Sequence, residues 1–263
     1  MRGWWQDLTD LVLPAECGGC GRPRAVLCPE CRAALTGAAP CRVRPEPEPS
    51  GLPVVHAAAP YEDAVRATLI AHKERGALAL AGPLGTALAG AVQAGGGGPV
   101  LLVPVPSARR AVRARGHDPA RRIALAAAGE LRRTGTPARV AGVLRQRRAV
   151  ADQSGLDSRQ RLDNLAGALE VAAGGTRLLG GGAVVLVDDL MTTGASLAEA
   201  ARAVRAARDG RAAEPGQFDA ERKGEEQVRT QGVTGMTGAD TAPDTISAAV
   251  VAAPPDAFEI NRN

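Results

Sequence analysis

Apolar residues recur at helical spacing at the start of the chain, where Trp4, Trp5, Leu8, Leu11 and Val12 share one face. This predicts a short amphipathic helix over residues 1–14, packed on the domain beside it. Residues 62–75 repeat the helical pattern, with Val65, Leu69 and the stem of Lys73 on one side and Gly76 placed as a C-terminal cap. Residues 78–92 read as an Ala/Leu helix interrupted at Gly82 and Pro83. From residue 99 the pattern changes to short continuous apolar runs alternating with helical periods. The runs 100–105, 140–144, 168–171, 183–187 and 246–252 predict strands. Asp118 and Pro119 form an N-cap and first-turn pair ahead of Ile123, Ala127 and Leu131. Residues 195–208 give a further helix with Leu197, Ala201 and Val204 inward. Strands alternating with helices imply an α/β fold with a mainly parallel sheet flanked by helices.

The remaining segments lack such periods. Residues 15–41 are short and rich in Cys and Gly, which predicts a small module of their own. Residues 42–53 are rich in Pro and Glu and read as an extended linker. Residues 146–165 are polar and read as a mobile loop. Residues 209–244 are rich in Gly, Glu and Thr without periodicity and read as a disordered insertion. The α/β domain is then built from 54–208 and 245–256.

Composition narrows the classes. The chain has 263 residues with a net charge of +4, and 45% are hydrophobic, which fits a globular protein. Aromatics are only 2%, which argues against a stacking platform for single-stranded nucleic acid. All of the 32 basic residues except Lys73 and Lys223 are arginine. Residues 209–263 carry 10 acids and 5 bases, so the preceding part is strongly basic. A positive front suits an anionic ligand, although a solvated arginine surface reads the same way. No run of 18 apolar residues is present, so no transmembrane helix is expected. Asp7 and Asp10 break the first apolar run, which therefore lacks the core of a signal peptide. A cytoplasmic location follows as the expectation.

Two segments carry chemistry. The first is the apolar run ending in Asp188 and Asp189, followed by Thr192, Thr193, Gly194, Ala195 and Ser196 at a helix start. A buried strand delivers two acids to the carboxyl edge of the sheet, where ligands of open α/β sheets bind. The turn offers backbone N–H groups, hydroxyls and the positive end of a helix dipole, which suit a phosphate. Two carboxylates suit paired sugar hydroxyls, or Mg²⁺ on the same ligand. Together they fit a ribose carrying a 5-phosphate. No Walker A or GxGxxG pattern occurs.

The second segment is Cys17 and Cys20, seven residues, then Cys28 and Cys31. Two CxxC pairs closing one short loop are the ligand spacing of a structural Zn²⁺ with four thiolates. Arg22, Arg24 and Arg32 are placed to offset its charge. Cys41 has no partner in this spacing. His56, His72 and His117 are expected not to cluster and to be structural or solvated, and no triad signature accompanies them.

The segment 184–196 resembles the phosphoribosyl pyrophosphate (PRPP) motif of type I phosphoribosyltransferases. The paired cysteines, Tyr61 and Glu62 through His72 and Lys73, Pro104 and Pro106 with Arg115 and Gly116, and residues 153–156 with Arg161 and Asn164 come in the order of the ComF family. The chain departs from that pattern at His117, Asp118 and Pro119, where the family often has Phe-Asn-Gln. The resemblance implies a type I phosphoribosyltransferase-like domain with an N-terminal zinc ribbon. It implies that Asp188 and Asp189 hold the ribose hydroxyls, and that Thr192, Thr193, Gly194, Ala195 and Ser196 bind the 5-phosphate. It places residues 106–115 as the pyrophosphate loop, with Arg109, Arg110, Arg113 and Arg115 able to clamp a diphosphate. Loop 146–165 stands in the place of a hood, and Arg159 and Arg161 are its candidates for closing on the diphosphate. The implied activity is Mg²⁺- and PRPP-dependent transfer to a nitrogenous acceptor that the sequence does not identify. The alternatives are a binding module without turnover, and an accessory protein of DNA uptake contacting single-stranded DNA or the competence machinery.

Overall fold

A computed structural model describes residues 16–148, 160, 164–180, 182–212 and 246–258. The predicted helix over 1–14, most of loop 146–165 with Arg159 and Arg161, and nearly all of the insertion 209–244 lie outside the described residues. Helix α1 (Pro29–Thr36) and strand β1 (Cys41–Val43) lead into β2 (Val55–Pro60), α2 (Asp63–Glu74) and α3 (Ala81–Ala94). Strand β3 (Val100–Pro104) is followed by α4 (Arg109–Arg115), α5 (Pro119–Arg133) and β4 (Ala138–Val140). After β5 (Leu144–Gln146) and β6 (Leu169–Val171) come β7 (Ala183–Leu190), α6 (Ala195–Ala212) and β8 (Ile246–Ala253).

The six-stranded sheet runs β1-β2-β8-β7-β3-β4, and only β1 is antiparallel to its neighbour. A mixed α/β fold with a mostly parallel sheet and flanking helices is thus in place, and β5 pairs with β6 in a separate antiparallel ladder. The connection β3-α5-β4 moves one way along the sheet, while β7-α6-β8 moves the other way. The helices therefore fall on opposite faces. Ile123, Ala124 and Leu131 of α5 pack in one core layer, and Leu197, Ala201 and Val204 of α6 pack in the other. The strand order reverses between β3 and β7, and such a switch point opens a crevice at the carboxyl ends of the strands.

Small side chains fill both layers, as the scarcity of aromatics requires. Strand alternation assigns Val185 and Val187 to the α5 layer and Val184 and Leu186 to the α6 layer. The cysteine-rich module shares the first layer: Cys17, Leu27, Cys28, Cys31 and Leu35 pack in one cluster with Leu80, Leu84 and Leu88.

Several boundaries differ from expectation. Gly82 and Pro83 do not interrupt α3; a 3-10 turn at Leu78–Leu80 precedes them and they sit in its first turn. The first N–H groups of a helix have no intrahelical acceptor, so proline is tolerated there. The expected strand 140–144 divides at Ala141 and Gly142 into β4 and β5, which belong to different ladders. Residues 42–53, expected as a linker, begin inside the sheet, where Arg42 and Val43 pair with His56 and Val55. Helix α6 runs on to Ala212, four residues into the expected insertion. Asp118 does cap α5, accepting the Arg121 N–H at 3.2 Å. No helix among the described residues is long and apolar enough to cross a membrane.

Candidate functional site

Strand β7 stays paired beyond its apolar stretch: Asp188 lies opposite Val250 and Leu190 opposite Ala252 of β8. Pairing on either side of Asp189 keeps the strand extended through the acids, and successive side chains of a strand point to opposite faces. Asp188 continues the row of Val184 and Leu186, on the α6 side. Asp189 continues the row of Val185 and Val187, on the side of α2 and α5. The chain then turns at Thr192, Thr193 and Gly194 into the first turn of α6.

A cleft of about 20 Å³ lies at that turn, lined by Asp188, Thr192, Thr193, Gly194, Ala195 and Ser196 together with Leu190, Met191 and Leu197. The structure therefore gathers Asp188 and the turn 192–196, but not Asp189, around one small opening. Gly194 has φ +74°, and a Cβ there would come within 3.1 Å of the Leu52 side chain. Both the left-handed backbone and the loop lying over it call for glycine. A larger cavity of about 240 Å³ lies between α1, α3 and α5, but its lining is mostly apolar. Its Gln93 donates to the Thr134 hydroxyl, and its Glu130 is paired with Arg133. It offers neither an acid pair nor a phosphate-type turn.

On the other face of β7, Lys73 Nζ lies 2.8 Å from Asp189 Oδ2 and 3.2 Å from Oδ1. The Asp189 side chain is 6% exposed and that of Lys73 36%. Burial opposes the charge of Lys73, but Asp189 and Asp188 outweigh it, and the ammonium pKa stands above its ordinary value. Asp188 accepts the Asp189 N–H at 2.8 Å. Desolvation, then repulsion from Asp189, pushes the Asp188 carboxyl well above the usual range, and Lys73 only partly offsets this.

The end of α2 is also tied to α4. Arg115 donates to Glu74 Oε1 at 2.9 Å, and its side chain is 14% exposed. The segment 106–115, expected as the pyrophosphate loop, contains a seven-residue helix from Arg109 to Arg115, and its last arginine is engaged. Arg109, Arg110 and Arg113 are exposed. His72 and His117, expected apart, meet with ring centroids 5.6 Å apart. His117 Nε2 faces the His72 carbonyl at 3.2 Å and its Nδ1 faces the Arg115 carbonyl at 3.1 Å. A neutral imidazole donates to only one of these oxygens. Sequence spacing hides this meeting, since 45 residues separate the rings. Lys73 is the partner that sequence reasoning left out of the site. Its available signal was rarity, a lysine in a chain that otherwise uses arginine.

The four cysteines form a second candidate site. One sulfur each from Cys17, Cys20, Cys28 and Cys31 lies within 4.8 Å of all the others, and none is in a disulfide. The Cys28 N–H donates to Cys17 Sγ at 3.2 Å. Burial would raise the Cys17 thiol, but N–H groups of Cys28, Cys20 and Gly19 bring it down to about 6. Burial and the neighbouring sulfurs push the Cys31 thiol up. Four sulfurs so close could hold a metal ion, and soft sulfur donors in tetrahedral number fit Zn²⁺. Arg22, expected to offset that charge, makes a two-oxygen pair with Glu30 at 2.8 Å. Cys41 lies on β1, outside the group.

No family model matches the chain, and no curated protein matches it.

Proposed function

We propose that the chain is a type I phosphoribosyltransferase-like protein of the ComF kind, which binds PRPP with Mg²⁺ and transfers its ribose 5-phosphate to a nitrogenous acceptor. The observation that carries this reading is the junction of β7 and α6, where Asp188 and the turn 192–196 line one cleft at the switch point of the sheet. A helix N-terminus with free N–H groups and hydroxyls receives a phosphate. Ionised carboxylates accept hydrogen bonds from a sugar diol. Asp188 supplies the oxygen donors that suit Mg²⁺, and Mg²⁺ when bound supplies charge neutralisation for the departing diphosphate. In this reading the acids orient the ribose, the turn anchors its phosphate, and Arg159 and Arg161 close over the leaving group. The sulfur group near the N-terminus holds a structural Zn²⁺.

The test is ligand-induced stabilisation with product analysis. At 100 times Kd, one-site linkage gives about 2.7 kcal/mol, which for a chain of this size raises Tm by roughly 5–10 °C. Mg-PRPP should produce this shift, and Asp189→Asn and Thr193→Val should each reduce it. Pyrophosphate released in the presence of a base or amine establishes transfer. A shift without release on any acceptor assigns the site to binding alone, and an unchanged Tm at millimolar Mg-PRPP overturns the reading.

A further inference from the structure

We propose that Lys73 is the residue by which this site distinguishes a ribose 5-phosphate bearing a 1-diphosphate from one bearing none, its ammonium meeting the diphosphate beside Asp189. The inference rests on the reading of 188–196 as a ribose-phosphate site.

The shape of the sugar and the alternation of β7 carry it. In a ribofuranose the 2,3-diol forms one edge, with C1 beside C2 on one flank and C4, carrying C5, beside C3 on the other. A ring that lays its diol on Asp188 and Asp189 and its 5-phosphate on the turn 192–196 directs the C1 substituent away from that turn. Asp188 faces the α6 side with the turn, while Asp189 faces the α2 side, where Lys73 stands in the last turn of the helix. The positively polarised groups of the site thus stand on both flanks of the acid pair.

Lys73 is also the open member of its ion pair, with its side chain 36% exposed against 6% for Asp189. An ammonium has three donors that rotate freely. Two contacts to one carboxylate, at 2.8 and 3.2 Å, leave a third donor for an arriving anion. The neighbouring Arg115 is less available, because Glu74 holds it at 2.9 Å and its side chain is only 14% exposed. It is held on Glu74, the neighbour of Lys73 in the chain, so the two cations share one end of α2. That region suits a diphosphate, whose charge exceeds what one ammonium neutralises.

Calorimetric titration of the full chain with Mg²⁺ present tests the proposal, using PRPP and ribose 5-phosphate as separate ligands. Lys73→Gln should weaken PRPP at least tenfold and ribose 5-phosphate less than twofold, while Lys73→Arg restores most of the PRPP affinity. Equal loss for both ligands would mean that Lys73 acts only by holding Asp189, and overturns the proposal, as does no loss for either. Wild-type protein that binds neither ligand overturns the ribose-phosphate reading and this inference with it. The rarity of lysine gives a second measurement that does not depend on the variant folding. Biosynthetic incorporation of lysine labelled with ¹³C at Cε and ¹⁵N at Nζ reports on Lys73 and Lys223, the only lysines of the chain, and leaves their ammonium donors intact. Magnesium pyrophosphate should move the Lys73 resonance and leave that of Lys223 in place. A Lys73 resonance unmoved at saturating pyrophosphate rejects the contact.

Discussion

At the scale of single residues, the site depends on two adjacent acids in unlike surroundings. Asp189 has an ammonium at 2.8 Å, whereas the hydrogen bond shown for Asp188 comes from the N–H of its neighbour. The folded carboxyl of Asp188 therefore titrates well above its unfolded value. For a group shifted in that direction, the folded state holds its proton longer than the unfolded state. Its stabilising contribution is full below the ordinary carboxylate range and is lost as pH rises through the folded value. Asp188→Asn should thus make the chain more stable than wild type at pH 8, because the amide carries no charge to desolvate or to repel Asp189. It should also flatten the pH dependence between the two values, and it should lose Mg-PRPP binding. Urea unfolding at pH 5 and pH 8 reads both effects; equal stability of variant and wild type at pH 8 refutes the assignment. The acids, the turn and the paired cysteines were legible in the sequence because each is a local arrangement within a few residues. The Lys73–Asp189 pair spans 116 residues and the His72–His117 meeting 45, so only the folded chain brings them together.

At the scale of elements, apolar runs located β3, β6, β7 and β8 and touched β4 and β5, but they missed β1 and β2; helical periods located α2, α5 and α6. The misplaced boundaries share one cause: a local signal was set against a tertiary one. Pro83 reads as a breaker, but the 3-10 turn ahead of it shifts the helix start so that its missing N–H costs nothing. The run 140–144 reads as one strand, yet β4 completes the main sheet while β5 leaves it to pair with β6. Leu80, in the 3-10 turn, has a role that periodicity does not reveal. It is 1% exposed, and its Cδ1 lies 2.5 Å from where a Cβ on Gly18 would stand. It thus packs the loop of the first cysteine pair against the α/β layers. Leu80→Ala should cost about 2–5 kcal/mol, as for other buried leucines. It should also speed removal of Zn²⁺ by a chelator. Unchanged release kinetics alongside the lost stability would confine Leu80 to the main core.

At the scale of the whole molecule, the cysteine module and the α/β layers share one buried core rather than standing apart as a bead on a linker. Cys17, Cys28 and Cys31 lie within the same buried cluster as Leu84 and Leu88 of α3 and Val187 of β7. The chain also enters the sheet at β1, immediately after the module, leaving few residues between the two to uncouple them. Structural Zn²⁺ contributes roughly 10–16 kcal/mol of apparent folding free energy. A whole domain is stable by only about 5–15 kcal/mol. Loss of the proposed metal from a shared core is therefore comparable to the whole stability of the fold. Metal analysis should find one Zn²⁺ per chain, and Cys17→Ser or Cys28→Ser should release it. Chelation should then lower the melting of the entire chain in one transition, and Mg-PRPP added as a ligand for the carboxyl end of β7 should slow zinc loss by stabilising the shared core. Two separate transitions, with the larger at its original temperature after chelation, would show the module to be energetically independent. Zinc-free protein with reactive Cys17, Cys20, Cys28 and Cys31 and an unchanged Tm would remove the metal from the account altogether.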